Sequence, residues 1–272
     1  MGLFKYCGES GLLVLKNLKI KATPPNEFND PFEFSPVVCN KSPKAYAGRE
    51  VKEIITGPRF FEEYRVYLPQ FKNFTEFQAY ARANMNWLMS FLERESPNLD
   101  ATLDVLGTLS QKFGVICFSA DPLHPLMWAH YANSHKGVLL EFDESDPVFH
   151  HDSFLKVDYG VERAEYDPSG PADQKAVEAF AKRKSLDWGY EQEYRLIVDL
   201  ALAHRETDGK RAKYLFTIEP GLLKSVTVGL RAADHIRNEV LSLARKAPLE
   251  HLEVFQIETD KNQFKLHRRK IK

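Results

Sequence analysis

Tyr190-Glu191-Gln192-Glu193-Tyr194-Arg195-Leu196-Ile197-Val198 decides how the chain is read. Two carboxylates stand two residues apart, directly before an apolar run with the composition of a buried strand. If that run is extended from Glu191, side-chain alternation puts Glu191, Glu193 and Arg195 on one face, with Leu196 and Val198 on the other. Paired acids so placed suit general acid/base work, or stabilisation of a cationic transition state. The same residues also read as a structural Glu–Arg ion pair where a strand begins, a common arrangement worth little by itself. The motif alone leaves both readings open.

Working outward, further strand signals fall at Leu3 to Cys7, Leu18 to Ala22, Val115 to Ser119, Gly137 to Phe142 and Phe154 to Tyr159. Later ones fall at Tyr214 to Ile218, Ser225 to Val228 and Leu252 to Ile257. Short helices are expected over Glu9 to Asn17, Ala172 to Leu186 and Ala232 to Lys246. Thr23-Pro24-Pro25-Asn26-Glu27-Phe28-Asn29-Asp30-Pro31-Phe32 is too rich in turn formers for continuous helix or a central strand. From about Lys44 to Lys112 the pattern becomes helical. Phe71, Phe74, Phe77 and Tyr80 recur at three-residue steps, and Trp87, Leu88, Phe91 and Leu92 give a buried helical face. Pro97 breaks this block, and Ala101 to Gln111 reads as one more short helix. Short strands beside a segregated helical block predict an α+β fold. The expected organisation is a single domain over 1–272, with a helical insertion or lid at about 44–112.

The 272 residues suffice for a substantial core, and the hydrophobic fraction of 43% is that of an ordinary folded chain. A formal net charge of -1 gives no global argument for nucleic-acid or membrane binding. Cys7, Cys39 and Cys117 are widely spaced and form no C-x-x-C pair, against a disulfide framework and consistent with a reducing cytoplasm. No secretory signal is read at the start, and no apolar run has the ~20 residues of a membrane helix, so no membrane partner is expected. The basic tail Lys265, His267, Arg268, Arg269, Lys270 and Lys272 either meets phosphates or is simply a solvated terminus.

A second dense motif runs from Phe118 to Gly137: FSADPLHPLMWAHYANSHKG. Aromatic rings able to stack a planar group sit beside His and Ser hydrogen-bonding groups, as a nucleotide pocket requires. Trp128 and Tyr131 read equally well as core residues. His124, His130 and His135, with His150 and His151, match no compact ligand spacing, so no metal is expected. G-x-S-x-G, P-loop and Rossmann glycine patterns are missing, which weakens hydrolase, NTPase and ordinary dehydrogenase readings. Cys117, inside an apolar strand, reads as a buried inert thiol.

Phe4-Lys5-Tyr6, Phe28-Asn29-Asp30-Pro31-Phe32-Glu33, Cys117-Phe118-Ser119, Leu126-Met127-Trp128-Ala129-His130-Tyr131, His135-Lys136-Gly137, Lys184, Trp188 and Glu191 to Arg195 together resemble the bacterial DUF2971 family. More distantly, the order of parts is similar to the ADP-ribosyltransferase fold, notably DarT-type enzymes that modify nucleic acid. That resemblance implies a mixed or split β-sheet core, NAD as substrate and cleavage of its nicotinamide–ribose bond. It places Glu193 at the catalytic position, held to the ribose 2′-OH, with Glu191 orienting or deprotonating the acceptor. Lys5 and Tyr6 fall in the first motif, where many members carry His or Arg, and Ser119 and Tyr131 in the middle one. Tyr131 or Trp128 would stack nicotinamide, with His130 beside them, and Lys5 or Arg195 would meet the pyrophosphate, Arg195 serving alternatively as the clamp on Glu193. Asn29 and Asp30 would line the rim. The acceptor would be nucleic acid or protein, and the setting a bacterial toxin or phage-defence effector, with an antitoxin as a partner. The contrasting expectation is a non-catalytic nucleotide- or nucleic-acid-binding module.

Overall fold

The computed structural model describes residues 2–39, 42–63, 65–94, 107, 111–167, 174–207 and 212–272. The fold is α+β, and the chain divides into two compact units. One comprises Met1–Phe34, Gly107–Arg163 and Ala181–Lys272; the other comprises Ser35–Leu106 and Ala164–Phe180. The first eight strands are β1 (Leu3–Cys7), β2 (Lys19–Ala22), β3 (Val37–Val38), β4 (Phe113–Ser119), β5 (Val138–Phe142), β6 (Phe154–Lys156), β7 (Asp158–Gly160) and β8 (Glu165–Tyr166). Then follow β9 (Arg183–Ser185), β10 (Glu193–Asp199), β11 (His204–Thr207), β12 (Ala212–Thr217), β13 (Leu223–Val228), β14 (Glu253–Thr259) and β15 (Leu266–Lys270).

The first unit is built on a mixed sheet in the order β15-β14-β13-β5-β1-β4-β10-β6, antiparallel except between β13 and β14. Alternation along its strands makes two faces. Leu3, Cys7, Val138, Leu140, Phe142, Val226 and Val228 point one way and pack with Leu12, Leu15, Ile236 and Val240, from the helices Ser10–Asn17 and Asp234–Leu243. Each such fully buried aliphatic side chain is worth roughly 1.5–3 kcal/mol of transfer free energy. The opposite face carries Phe4, Tyr6, Leu139 and Ile257, covered by Met127 and Trp128 of the short helix Pro125–Tyr131. A smaller sheet, β11-β12-β2, is antiparallel.

The sheet is not continuous at its centre. β1 pairs with β5 from Leu3↔Phe142 to Cys7↔Val138, and β4 pairs with β10 from Phe113 to Ser119. Between β1 and β4, however, the register is made only at Phe4↔Ser119. Further back along β4, Thr23 takes the same edge, exchanging hydrogen bonds of 2.9 Å with Val115. In the gap left between them, Lys5 Nζ donates to the Cys117 carbonyl at 3.1 Å. A side chain thus supplies the donor that a parted strand does not, satisfying a carbonyl that would otherwise be costly.

In the second unit the helices Pro43–Thr56, Pro58–Glu63, Phe74–Ala83 and Met85–Arg94 bury Val51, Ile54, Ile55, Phe61, Phe77 and Ala81 against one another. Ser42 and Asn73 cap two of these helices through bonds from Ala45 N and Glu76 N. Trp87 and Phe91, expected on the buried face, are instead 57% and 40% exposed and stack on each other, while Leu88 and Leu92 face the core. The four residues span too wide an arc for a ten-residue helix to bury on one side. Pro97 and most of Ala101 to Gln111 lie outside the described residues.

Other boundaries also differ from expectation. Phe154 to Tyr159 is two strands, β6 and β7, which join different sheets. The segment expected to be helical to Leu186 ends its helix at Lys182 and becomes β9. The basic tail is the sheet's edge strand β15, and its charges are largely spent. Arg268 meets Glu141 at 3.0 Å, Arg269 meets Glu258 at 2.6 Å, Lys270 pairs with Glu253, and His267 lies 2.9 Å from Asp260. A charged edge strand resists pairing with foreign strands. Among the described residues no helix is long and apolar enough to cross a membrane.

Asn133, Ser134 and His135 are consecutive left-handed residues (φ 47°, 54° and 69°) that turn the chain from the helix into β5. Immediately after them Gly137 lies against the Cys7 carbonyl, where a Cβ has no room. Gly137→Ala should therefore force β1 and β5 apart and cost about 1–3 kcal/mol. Urea denaturation should show a lower midpoint with an unchanged slope; a midpoint equal to wild type would show that the close approach is not tight.

Candidate active site

A pocket of about 370 Å³ opens where β1 and β4 part, a volume in the range of small-molecule sites. Phe4, Lys5 and Tyr6 line it from β1, and Cys117, Phe118 and Ser119 from β4. Thr23, Glu27, Phe28, Asn29 and Glu33 line it from the connection after β2, Met127 and Tyr131 from the short helix, and Lys184, Glu191 and Glu193 complete it. All belong to the first unit.

Five charged side chains meet at one wall of this pocket. Arg195, on β10 opposite Cys117, is wholly buried, with its guanidinium packed against the adjoining, edge-to-face rings of Phe28 and Phe34, 5.5 and 5.2 Å from their centroids. Its Nε donates to Glu193 Oε1 and its Nη2 to Glu193 Oε2, both at 2.9 Å. Nη2 also donates to Glu33, and Nη1 donates to the Ala181 carbonyl at 2.9 Å. Lys184, on β9, reaches Glu191 Oε2 at 2.5 Å, Glu33 Oε1 at 3.0 Å and Glu193 Oε2 at 3.1 Å. Glu33 Oε1, although within ion-pair range, has no partner in hydrogen-bond geometry. Glu191 Oε1 accepts from the Tyr131 hydroxyl at 2.5 Å. Three carboxylates therefore share two cations, all of them at most 5% exposed at the side chain.

That surplus of one negative charge separates the acids. Burial pushes the Glu193 carboxyl up, but Arg195 and Lys184 outweigh it and hold the group down at about 2. Burial dominates at Glu191 and Glu33, whose carboxyls lie above their ordinary range despite Lys184 and Arg195. Glu193 is thus the firm anion, and Glu191 and Glu33 bind a proton more readily than it does. Burial and the Glu191 charge raise the Tyr131 phenol. Burial also raises the Cys117 thiol well above its usual value, as expected of an inert cysteine.

The local folding that assembles this cluster departs from the expected strand. Glu191 ends a 3-10 turn, Leu186–Glu191, and Gln192 is left-handed (φ 45°), so β10 starts only at Glu193. The two acids meet at Lys184 because the chain turns between them, not because they alternate along one strand. Ser119 Oγ donates to the Glu191 carbonyl at 2.6 Å, and the Tyr159 hydroxyl accepts from Glu193 N at 2.8 Å. Lys184 itself arrives through pairing of β9 with β7, at Tyr159↔Lys184.

Of the residues singled out in the sequence, Glu191, Glu193, Lys5, Tyr6, Ser119, Tyr131 and Asn29 come together at the pocket. Tyr6 is committed to the Asp121 carbonyl at 2.6 Å. Arg195 stands behind the wall as the clamp on Glu193, too buried to reach a pyrophosphate. Trp128 is fully buried, edge-on to Tyr6, with Nε1 on the Pro122 carbonyl at 3.0 Å, and is not among the pocket's lining residues. His130 is exposed beside Tyr190, away from the lining. Asp30 is buried and caps its own turn at Phe32 N. Among the described residues no His, Cys, Asp and Glu grouping is arranged to hold a metal. Lys184 and Glu33, quoted from the sequence only as motif residues, had no expected role at the site. Their signal was electrostatic: two acids entering a buried strand beside one arginine require further compensation nearby.

Residues 127–196 match the model of a family described as a protein of unknown function, DUF2971. The matched stretch carries Met127 to Tyr131, Lys184 and Glu191 to Arg195, whereas Phe28 to Glu33 lies outside it. No curated protein and no solved structure matches the chain.

The opposite displacements of the acids make a testable contrast. A depressed carboxyl contributes stability that is complete above its unfolded value and is lost as pH falls through its folded one. For Glu193 that window runs from about 4.5 down to about 2. Glu191, displaced upward, acts in the opposite sense, its ionisation costing stability as pH rises. At pH 7, Glu193→Gln should lose about 3 kcal/mol by urea denaturation and Glu191→Gln no more than about 1. The acid-side slope between pH 4.5 and 2 should flatten in the Glu193 variant. Equal losses from the two variants would show that the carboxylates are interchangeable.

Proposed function

We propose that the chain is an ADP-ribosyltransferase-like enzyme, cleaving NAD at the nicotinamide–ribose bond and passing ADP-ribose to an acceptor. The observation that supports this is the net-negative carboxylate cluster walling a pocket at the parting of the central strands. Departure of nicotinamide builds positive charge on the ribose, and a preorganised surplus of negative charge, sheltered from water, stabilises that charge as it forms. The same surplus suits the cationic nicotinamide ring of the ground state, with the apolar and aromatic surfaces of Phe28 and Tyr131 available beside it.

Within this reading the two motif acids divide the work. Both oxygens of Glu193 are already engaged by Arg195 and Lys184, so its contribution is fixed charge more than a new hydrogen bond to the ribose. Glu191 is the proton-accepting partner, because burial raises its proton affinity above that of Glu193. Lys5 keeps ammonium protons beyond the one given to Cys117 O, and these are free for the acceptor oxygens of a bound nucleotide.

Purified protein incubated with NAD, nucleic acid and cell extract should release nicotinamide. Glu191→Gln, chosen because it should preserve the fold, should slow that release by about 100-fold or more. Absence of release together with absence of NAD binding by calorimetry would remove this reading and leave the cluster a structural one.

A further inference from the structure

The geometry points to Tyr131 as the group through which Glu191 takes a proton from the acceptor, a two-step relay that restricts the acceptor to hydroxyl or amine chemistry. This rests on the reading of the pocket as a site of ADP-ribosyl transfer. Glu191 lies on the pocket lining but is the less accessible of the two groups: its side chain is 3% exposed, and its two oxygens are engaged, one by Tyr131 at 2.5 Å and one by Lys184 at 2.5 Å. Tyr131, on the same lining, is only half-buried. Its hydroxyl proton already points at Glu191, which leaves the oxygen's two lone pairs as acceptors, one met by Asn29 and the other available to the acceptor's proton. Asn29, an exposed residue of the pocket rim, hydrogen-bonds the same hydroxyl from its side chain. A line of hydrogen bonds therefore runs from the rim at Asn29, through Tyr131, to Glu191 and Lys184.

The step balances as follows. The acceptor's oxygen or nitrogen forms a bond to C1 of the ribose as the C1–N bond to nicotinamide breaks, and nicotinamide leaves with that electron pair. The acceptor's proton passes to Tyr131 Oη while the tyrosine's own proton passes to Glu191 Oε1, which ends as the neutral acid. Tyrosine is never a free phenolate, in keeping with a hydroxyl whose ionisation is disfavoured beside Glu191. The charged groups facing this line are Glu191 and Lys184 at Tyr131, and Lys184 and Glu193 at Glu191. An acceptor that is already anionic, such as a carboxylate, has no proton to give and would gain nothing from the relay.

The test compares wild type with Tyr131→Phe, which keeps the ring and removes the hydroxyl. NAD affinity by calorimetry should stay within about threefold, while transfer falls about 100-fold or more and the rising limb of its pH–rate profile disappears. Replacing Tyr131 with 3-fluorotyrosine, which keeps the hydroxyl and changes its acidity, should move that limb, an effect that mere structural support would not produce. Full turnover in Tyr131→Phe, or a pH profile indifferent to the fluorotyrosine, would overturn the relay and leave NAD cleavage standing. A wild type that neither binds NAD nor releases nicotinamide would overturn both.

Discussion

The buried Arg195 guanidinium is the constraint on which the rest of this unit depends. A charge taken out of water costs several kcal/mol unless partners surround it. Here Glu193 and Glu33 supply the opposite charge, the Ala181 carbonyl takes another donor, and the adjoining rings of Phe28 and Phe34 pack against the guanidinium. These partners come from distant parts of the sequence. Satisfying one arginine therefore fixes the loop after β2, the backbone at Ala181 and the start of β10 in a single arrangement. The Phe28-Asn29-Asp30-Pro31-Phe32-Glu33 segment then has a physical purpose: its aromatic Phe28 and its Glu33 hold Arg195, and its Asn29 is thereby set on the pocket rim.

The parting of β1 and β4 follows from competition for one strand edge. Thr23 occupies the edge at Val115 and Phe4 occupies it at Ser119, so β1 cannot run along the whole of β4. The interval exposes a backbone carbonyl and creates a cleft. Lys5 answers the first need and, by standing in the interval, gives the second a cationic side. A polar residue in the middle of an otherwise apolar first strand is thus explained by topology. It also makes clear why a site forms at this point of the sheet, since elsewhere the central strands are joined along their lengths.

Much of this architecture was legible in the residues. Short apolar runs located β1, β4, β5, β13 and β14, because strands covered on both faces are apolar at successive positions. Glu191, Glu193 and Tyr131, singled out by chemistry, and Lys5 and Asn29, implied by the resemblance, do meet in space. What the residues could not disclose were relations set by tertiary pairing. Trp128 and Tyr131 lie three apart on one short helix, yet Trp128 goes wholly into the core and Tyr131 stays at the pocket; composition cannot apportion them. β15 looked like a solvated basic tail because its partners Glu141, Glu253 and Glu258 come from other strands. Lys184 was hidden for the same reason, since only the β7–β9 pairing brings it to the acids.

The turn between the two motif glutamates shows how a small local cost serves the site. Had β10 continued two residues further along its register with β4, Glu191 would have stood opposite Asp121, since Glu193 stands opposite Ser119. Like charges directly opposed across strands destabilise a sheet. Gln192 adopts a left-handed conformation instead, at a cost of roughly 1–2 kcal/mol for a non-glycine residue, and its carbonyl accepts from Ala120 N at 3.0 Å. The backbone at Glu191 is then anchored by Ser119, and its side chain swings to Lys184 and Tyr131. Asp121, relieved of an acidic neighbour, caps the Leu123 turn that leads into the helix carrying Tyr131. One strained residue therefore brings both acids to Lys184 while only Glu193 also meets Arg195. That difference is what holds Glu193 as a fixed anion and leaves Glu191 with the higher proton affinity.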